Sequence, residues 1–333
     1  LITKELKMSL SNIFRITTLT AAIALGAFGV MLPATPAIAA APMVGTQAPG
    51  FYRMMLGDFE VTVINDGTVS LDADKLLAEP PAKTEAALKK AFETSPVETS
   101  SNTFLINTGP KLVLVDTGAG TLLGPTLGKF LVNLRAAGYR PEQIDDIFLT
   151  HMHPDHVGGL VVNGALAFPN ATIHADKRDS DYWLSQANLD QAPADAKGYF
   201  QGAMASLNPY LAAGKFQSFD NDGELVPGVH SIATPGHTAG HTSYLVESRG
   251  QKLMLIGDLI HVAAVQFNDP GVTIAFDSNA PAAAATRKKM FGELASDGVL
   301  IGANHLAFPA LGHLRQAGKS WQWVPANYST QFR

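Results

Sequence analysis

Residues 151–156 read His-Met-His-Pro-Asp-His, four nitrogen and oxygen donors within six positions of a chain that holds ten histidines in all. This crowding constrains the fold more than any apolar run does. Imidazoles and a carboxylate brought together out of water need a shared cation or a complete hydrogen-bond network. His151 and His153 are two apart after the apolar segment Ile-Asp-Asp-Ile-Phe-Leu-Thr (144–150), so a persisting strand geometry puts both on one face. Asp155 and His156 follow where the chain turns, and Gly158-Gly159 allow a tight bend beyond them.

Three more donors end other apolar segments: His237 in Thr-Pro-Gly-His, Asp258 in Leu-Ile-Gly-Asp and His305 in Ile-Gly-Ala-Asn-His. Strand ends are rigid, and loops at one edge of a sheet converge, so seven ligands are expected in one place. Five imidazoles and two carboxylates exceed what one zinc takes, about three protein ligands plus water. They suit two ions about 3.5–4 Å apart. The simplest division gives one ion His151, His153 and His237 and the other Asp155, His156 and His305, with Asp258 bridging. His174, His230 and His313 read as surface or satisfied core histidines, and His241 as support for the ligands rather than a ligand.

Composition narrows the chemistry. Hydrophobic residues make up 46% and charged residues 16%, the balance of a well-filled globule rather than a disordered chain. A net charge of -5 gives no basic surface for tracking phosphates, so no nucleic-acid partner is expected. The absence of cysteine excludes disulfides, thiolate ligands and a cysteine nucleophile. Lys4, Lys7 and Arg15 flank an apolar run from Ile16 to Leu32 that leads to Ala37-Ile38-Ala39, the layout of a secretory signal peptide. The expectation is a leader over 1–39, a single domain over 40–333, export to the periplasm or medium, and no stable membrane anchor after cleavage.

Periodicity predicts a hairpin at 59–71 around Asp66-Gly67, helices over 83–93, 125–139 and 283–295, a long loop over 261–282 and a last strand at 299–305. Strands recur with helices between them, which implies two sheets with helices outside. The aromatic Trp-Gln-Trp at 321–323 fits either core packing or the docking face of a homodimer.

His151, His153, Asp155 and His156, followed by His237, Asp258 and His305, resemble the ligand pattern of the metallo-β-lactamase superfamily. Asp116 in Val-Leu-Val-Asp-Thr-Gly matches a strand typical of it. The resemblance covers about residues 50–315 and implies an α/β fold, a four-layered αββα sandwich. Within the superfamily the chain is most similar to the methyl parathion hydrolase branch and its lactonase and arylesterase relatives. The similarity runs through LGDFEVT, LVLVDTGAG, THMHPDHVGGL, GAMASLNPY and GDLIHVAAVQF.

That resemblance implies a dinuclear hydrolase in which Asp155 and Asp258 work with a metal-bridging hydroxide. Zinc is the first expectation for the metal, and manganese, cobalt or iron suit the same donors. Trp183 and Tyr199 match an aromatic substrate pocket, Leu123 stands where the organophosphate-cleaving member carries an aromatic residue, and His261, Ile274 and Phe276 are expected at the mouth. Bulk there favours flat lactones of the dihydrocoumarin type and aryl esters, with phosphotriester cleavage as a side reaction. A primarily phosphotriester-cleaving enzyme and an iron-dependent redox member of the same fold are the alternatives.

Overall fold

Along each apolar strand, successive side chains go to two different cores, and this alternation builds the layers. In Leu112–Val115, Val113 and Val115 enter one buried cluster while Leu112 and Leu114 enter another. A strand buried on both faces reads as continuous apolar sequence. The computed structural model describes residues 41–332, and the compact unit begins at Ala48. The leader expected over 1–39 lies outside the described residues.

The first sheet has seven strands: β1 (Phe51–Leu56), β2 (Phe59–Leu71), β3 (Val97–Asn107), β4 (Leu112–Val115), β5 (Asp146–Phe148), β6 (Thr172–Asp176) and β7 (Phe216–Phe219). The second has seven more: β8 (Gly223–Val226), β9 (Val229–Ala233), β10 (Thr242–Ser248), β11 (Gln251–Leu255), β12 (Leu300–Gly302), β13 (Leu311–Ala317) and β14 (Ser320–Pro325). Spatial order follows chain order in both. Pairing is parallel from β4 to β7 and between β11 and β12, and antiparallel elsewhere.

The sheets face each other across Val61, Val63, Phe104, Ile106, Val113, Val115 and Phe148 on one side and Val229, Tyr244, Val246, Leu253 and Leu255 on the other. Helices Phe130–Ala136 and Lys197–Ala212 cover the outer face of the first sheet through Phe130, Leu134, Phe200, Leu207 and Tyr210. Helix Ala280–Asp297 covers the second through Met290, Phe291 and Leu294. The expected αββα order is what the chain forms. Tyr244 ties this core to the histidine loop: its ring stacks on Phe148 at 5.6 Å and its hydroxyl donates to Leu149 O at 2.6 Å.

Three local expectations are corrected. Asp66-Gly67 makes a bulge, not a hairpin turn, because β3 pairs with β2 along its whole length and shifts register between Asn65 and Gly67. Gly67 takes φ +125 there, and the buried Asp66 carboxylate accepts the N–H groups of Ala119, Gly128 and Phe130. Those bonds hold residues 119–129 as a loop, so the helix expected from 125 starts at Phe130. Beyond 305, two further strands close the second sheet. Trp321 and Trp323 pack there against Phe291 and Phe267, covering the outer core. No helix among the described residues is long and apolar enough to cross a membrane.

Candidate metal centre

The candidate ligands leave the carboxyl ends of strands. His151 and His153 follow β5 on irregular backbone, and His153, itself extended, stands at the N-cap of a helical turn, Pro154–Val157, that carries Asp155 and His156. The second sheet contributes His237 from the turn between β9 and β10, Asp258 from the residues after β11, and His305 from those after β12. Ligand-capable atoms of His151, His153 and His237 lie within 4.8 Å of one another, as do those of Asp155, His156, Asp258 and His305. All seven expected side chains therefore meet at the seam of the two sheets.

Their atoms are placed as a cation would require. His153 Nδ1 and His237 Nε2 face each other at 3.1 Å. Asp258 Oδ2 lies 3.3 Å from His237 Nε2 and 3.1 Å from His305 Nε2, while its Oδ1 lies 3.3 Å from His156 Nε2. His151 Nε2, His156 Nε2 and Asp258 Oδ1 are buried without any hydrogen-bond partner. Unpaired buried acceptors aimed at one point cost free energy unless something positive sits between them. The donor set, nitrogen and carboxylate oxygen with no thiolate, fits divalent zinc, manganese, cobalt or iron.

The outer ring nitrogens are held by a ring of partners. His156 Nδ1–H donates to Asp116 Oδ2 at 2.8 Å, and the same carboxylate accepts Thr150 N–H, Thr150 Oγ1–H and Asn304 Nδ2 at 2.8 Å each. His305 Nδ1–H donates to Ser100 O at 3.0 Å, and His237 Nδ1–H to Asp277 Oδ1 at 2.9 Å. These bonds fix the tautomers, turning the lone pairs inward. Burial, then the neighbouring imidazoles, hold His151 and His153 well below the ordinary histidine range, so both are neutral donors. Burial would raise Asp258, but His156, His305, His151 and His261 outweigh it and keep its carboxyl well below the usual carboxylate range.

Two buried groups link the loops. His241 Nε2 accepts the Asp258 N–H at 3.0 Å, and burial pushes its pKa down to about 3, which preserves that acceptor. Asp179 joins the histidine loop to the His237 turn, accepting Met152 N–H, Thr238 Oγ1–H and Gly240 N–H at 3.1, 2.9 and 2.7 Å. Burial raises its pKa to about 6 against those bonds. His174, His230 and His313 lie elsewhere, paired with Asp146, Glu224 and the carbonyls of Gly298 and Val299.

A cavity of about 230 Å³ opens over the cluster, walled by Val69, Leu71, Leu123, Pro154, Tyr199, His261 and Phe276, with Asp155, Asp258 and His305 on its floor. Two residues expected to line it do not. Trp183 packs behind His153, ring centroids 5.2 Å apart, and Ile274 is buried beside Leu77. His261 sits deeper than a mouth position, its Nε2 3.1 Å from Asp258 Oδ2 and its ring stacked on His305 at 4.9 Å. Sequence reasoning missed Asp179, Asp277 and Arg287, which reach the site from distant segments.

Gly236 shows how tightly the His237 turn is set. At φ +137, a Cβ would stand 2.2 Å from Ala283 N and 2.5 Å from Ala283 Cα in helix Ala280–Asp297. Gly236→Ala is expected to lower stability by about 1–3 kcal/mol or more through overpacking, with positive φ adding to it. Thermal denaturation reads this out; an unchanged Tm would mean that the turn has slack.

The comparisons with known proteins agree with this geometry. A family model described as the metallo-beta-lactamase superfamily matches residues 96–296. An N-acyl homoserine lactonase of Bacillus cereus is 30% identical over 156 residues, 47% of this chain and 54% of that protein. Another, from Bacillus sp, is 32% identical over 162 residues, 46% of this chain and 56% of that one. The chain thus spans about half the length of the curated relatives it matches. Among solved structures, a hydrolase of the beta lactamase superfamily, AbOPH, superposes with a TM-score of 0.81 at 37% identity, over 85% of this chain and 100% of that chain. AidC, a dizinc quorum-quenching lactonase in complex with a product, superposes with a TM-score of 0.79 at 29% identity, over 84% and 99%.

Proposed function

We propose, from the premise that this chain belongs to the metallo-beta-lactamase superfamily, that it is a metal-dependent hydrolase of lactones and aryl esters. The observation that carries this reading is the set of seven converging donors, three of whose buried inner atoms, His151 Nε2, His156 Nε2 and Asp258 Oδ1, have no hydrogen-bond partner among the described residues. Under it, His151, His153 and His237 would hold one divalent cation and Asp155, His156 and His305 a second, with Asp258 within reach of both sets. Such ions, when bound, supply Lewis acidity and a water acidified toward neutrality. Zinc is the preferred metal, and likeness to a dizinc lactonase supports it.

The chain's own groups do the rest. Leu71, Leu123 and Phe276 wall the cavity with apolar surface and keep bulk water from the reacting carbon. Tyr199 keeps its proton, because burial and then the charges of Asp155 and Asp195 raise its pKa, and so offers a hydroxyl donor on the wall. Asp155, with a side chain 20% exposed, is the carboxylate on the floor that solvent reaches, suited to take up or return a proton. The volume supports the substrate class: about 230 Å³ is below the usual ~300–1,000 Å³ of ligand pockets and suits a flat lactone better than a three-armed phosphotriester.

A panel of dihydrocoumarin, an aryl acetate, an acyl-homoserine lactone and methyl parathion on one preparation tests the reading. Lactone or aryl-ester turnover should dominate, vanish on dialysis against a chelator and return with zinc or manganese. A triester cleaved far faster than any lactone would reverse the substrate ranking, and full activity after chelation would end the metal reading.

A further inference from the structure

Helix Ala280–Asp297 buries one stripe on the second sheet: Ala283, Arg287, Met290, Phe291 and Leu294. An arginine in the middle of an apolar stripe is out of pattern, since its charge is costly to bury unless every donor is met. Arg287 is 1% exposed, and acceptors surround its guanidinium. Nε donates to Leu259 O, Nη1 to Pro270 O at 3.0 Å and Val272 O at 2.9 Å, and Nη2 lies 3.5 Å from Asp277 Oδ2.

These four contacts share a logic. Leu259 directly follows Asp258. Pro270 and Val272 belong to the segment that delivers Phe276 to the cavity wall. Asp277, whose side chain is fully buried, uses its other oxygen to hold His237 Nδ1 at 2.9 Å. The same helix braces the His237 turn a second time, through Thr286 Oγ1–H to Pro235 O at 2.7 Å.

We propose that Arg287 is a positioning residue that sets two things with one guanidinium: the aim of His237 into the first donor set, and the course of segment 259–277 that walls the substrate cavity. Cation affinity on the His237 side and pocket shape are therefore coupled through a side chain that touches neither cation nor substrate. The cation half of this inference rests on the metal-centre reading above; the segment half does not.

The test compares Arg287→Met, Arg287→Lys, Asp277→Asn and, as a core lesion on the same helix, Phe291→Ala. Metal content is measured under graded chelation with elemental analysis, KM and kcat with the best lactone of the panel, and amide hydrogen exchange across 259–277. Arg287→Met should lose one of two cations at a chelator concentration the wild type withstands, an affinity loss on the order of 10–100-fold. It should also raise KM and speed exchange in 259–277. Arg287→Lys keeps a charge near Asp277 but lacks the fork that spans three carbonyls, so it should recover cation retention more than KM. Asp277→Asn should weaken cation retention with a smaller effect on KM. Phe291→Ala should lower Tm without either signature.

Wild-type protein that takes up no divalent cation would sink the metal-centre reading, and exchange over 259–277 would still decide the rest. Exchange in Arg287→Met no faster than in Phe291→Ala, or both cations and KM retained at wild-type values, would overturn the role assigned to Arg287.

Discussion

Asp258→Asn is expected to cut kcat/KM for the best substrate on the order of 10³-fold while the fold persists. Asp258 is the carboxylate whose two oxygens face both donor sets, within 3.3 Å of nitrogens from His237, His305 and His156. The amide keeps the shape but removes the charge and one acceptor. Charge stabilisation of several kcal/mol, taken as ~4 at about 1.36 kcal/mol per decade, gives the stated loss. Steady-state kinetics and elemental analysis on one sample check it. A variant that keeps two cations and a rate within tenfold of wild type would show that Asp258 is not the shared ligand.

Asp116→Asn is expected to reduce kcat/KM by about 10–100-fold, the usual cost of losing a residue that orients a metal-binding histidine. The carboxylate accepts four donors, from Thr150 twice, His156 and Asn304. An amide has one acceptor oxygen, so its NH2 would be set against donors, and a buried donor left unpaired costs about 1–3 kcal/mol. Asp116 also sits at φ +61, a conformation that aspartate tolerates better than most residues. The defect should therefore show in cation retention, above all for Asp155, His156 and His305, with a moderate fall in Tm. Equal loss from both donor sets in a chelator titration would argue against this local account.

The ligands were legible because their signal is local. His151 to His156 crowd one loop, and His237, Asp258 and His305 each follow an apolar run that had to be a strand. The two sheets were legible for the same reason, since runs such as Leu112–Val115 have no exposed face. What escaped depends on partners far along the chain. Asp66-Gly67 has turn chemistry, but the length of β3 decides that it is a bulge. Asp277 was one carboxylate in a polar loop, 40 residues from the histidine it holds. Arg287 left a readable trace, a charge at helical spacing between Ala283 and Met290, although its acceptors could not be read from it. Trp183 and Ile274 were expected on the cavity wall; their bulk is spent behind it, on His153 and Leu77.

Among the described residues the chain crosses from one sheet to the other a single time, between β7 and β8, so the sheets are successive halves of that stretch. Each donor set draws on both halves: His151 and His153 need His237, and Asp155 and His156 need His305. Ions seated there would act as rivets, adding their binding free energy to the grip of one half on the other. Wall residues outside the segment that Arg287 braces, Leu71 and Leu123 among them, can change to admit new substrates while the joint stays put.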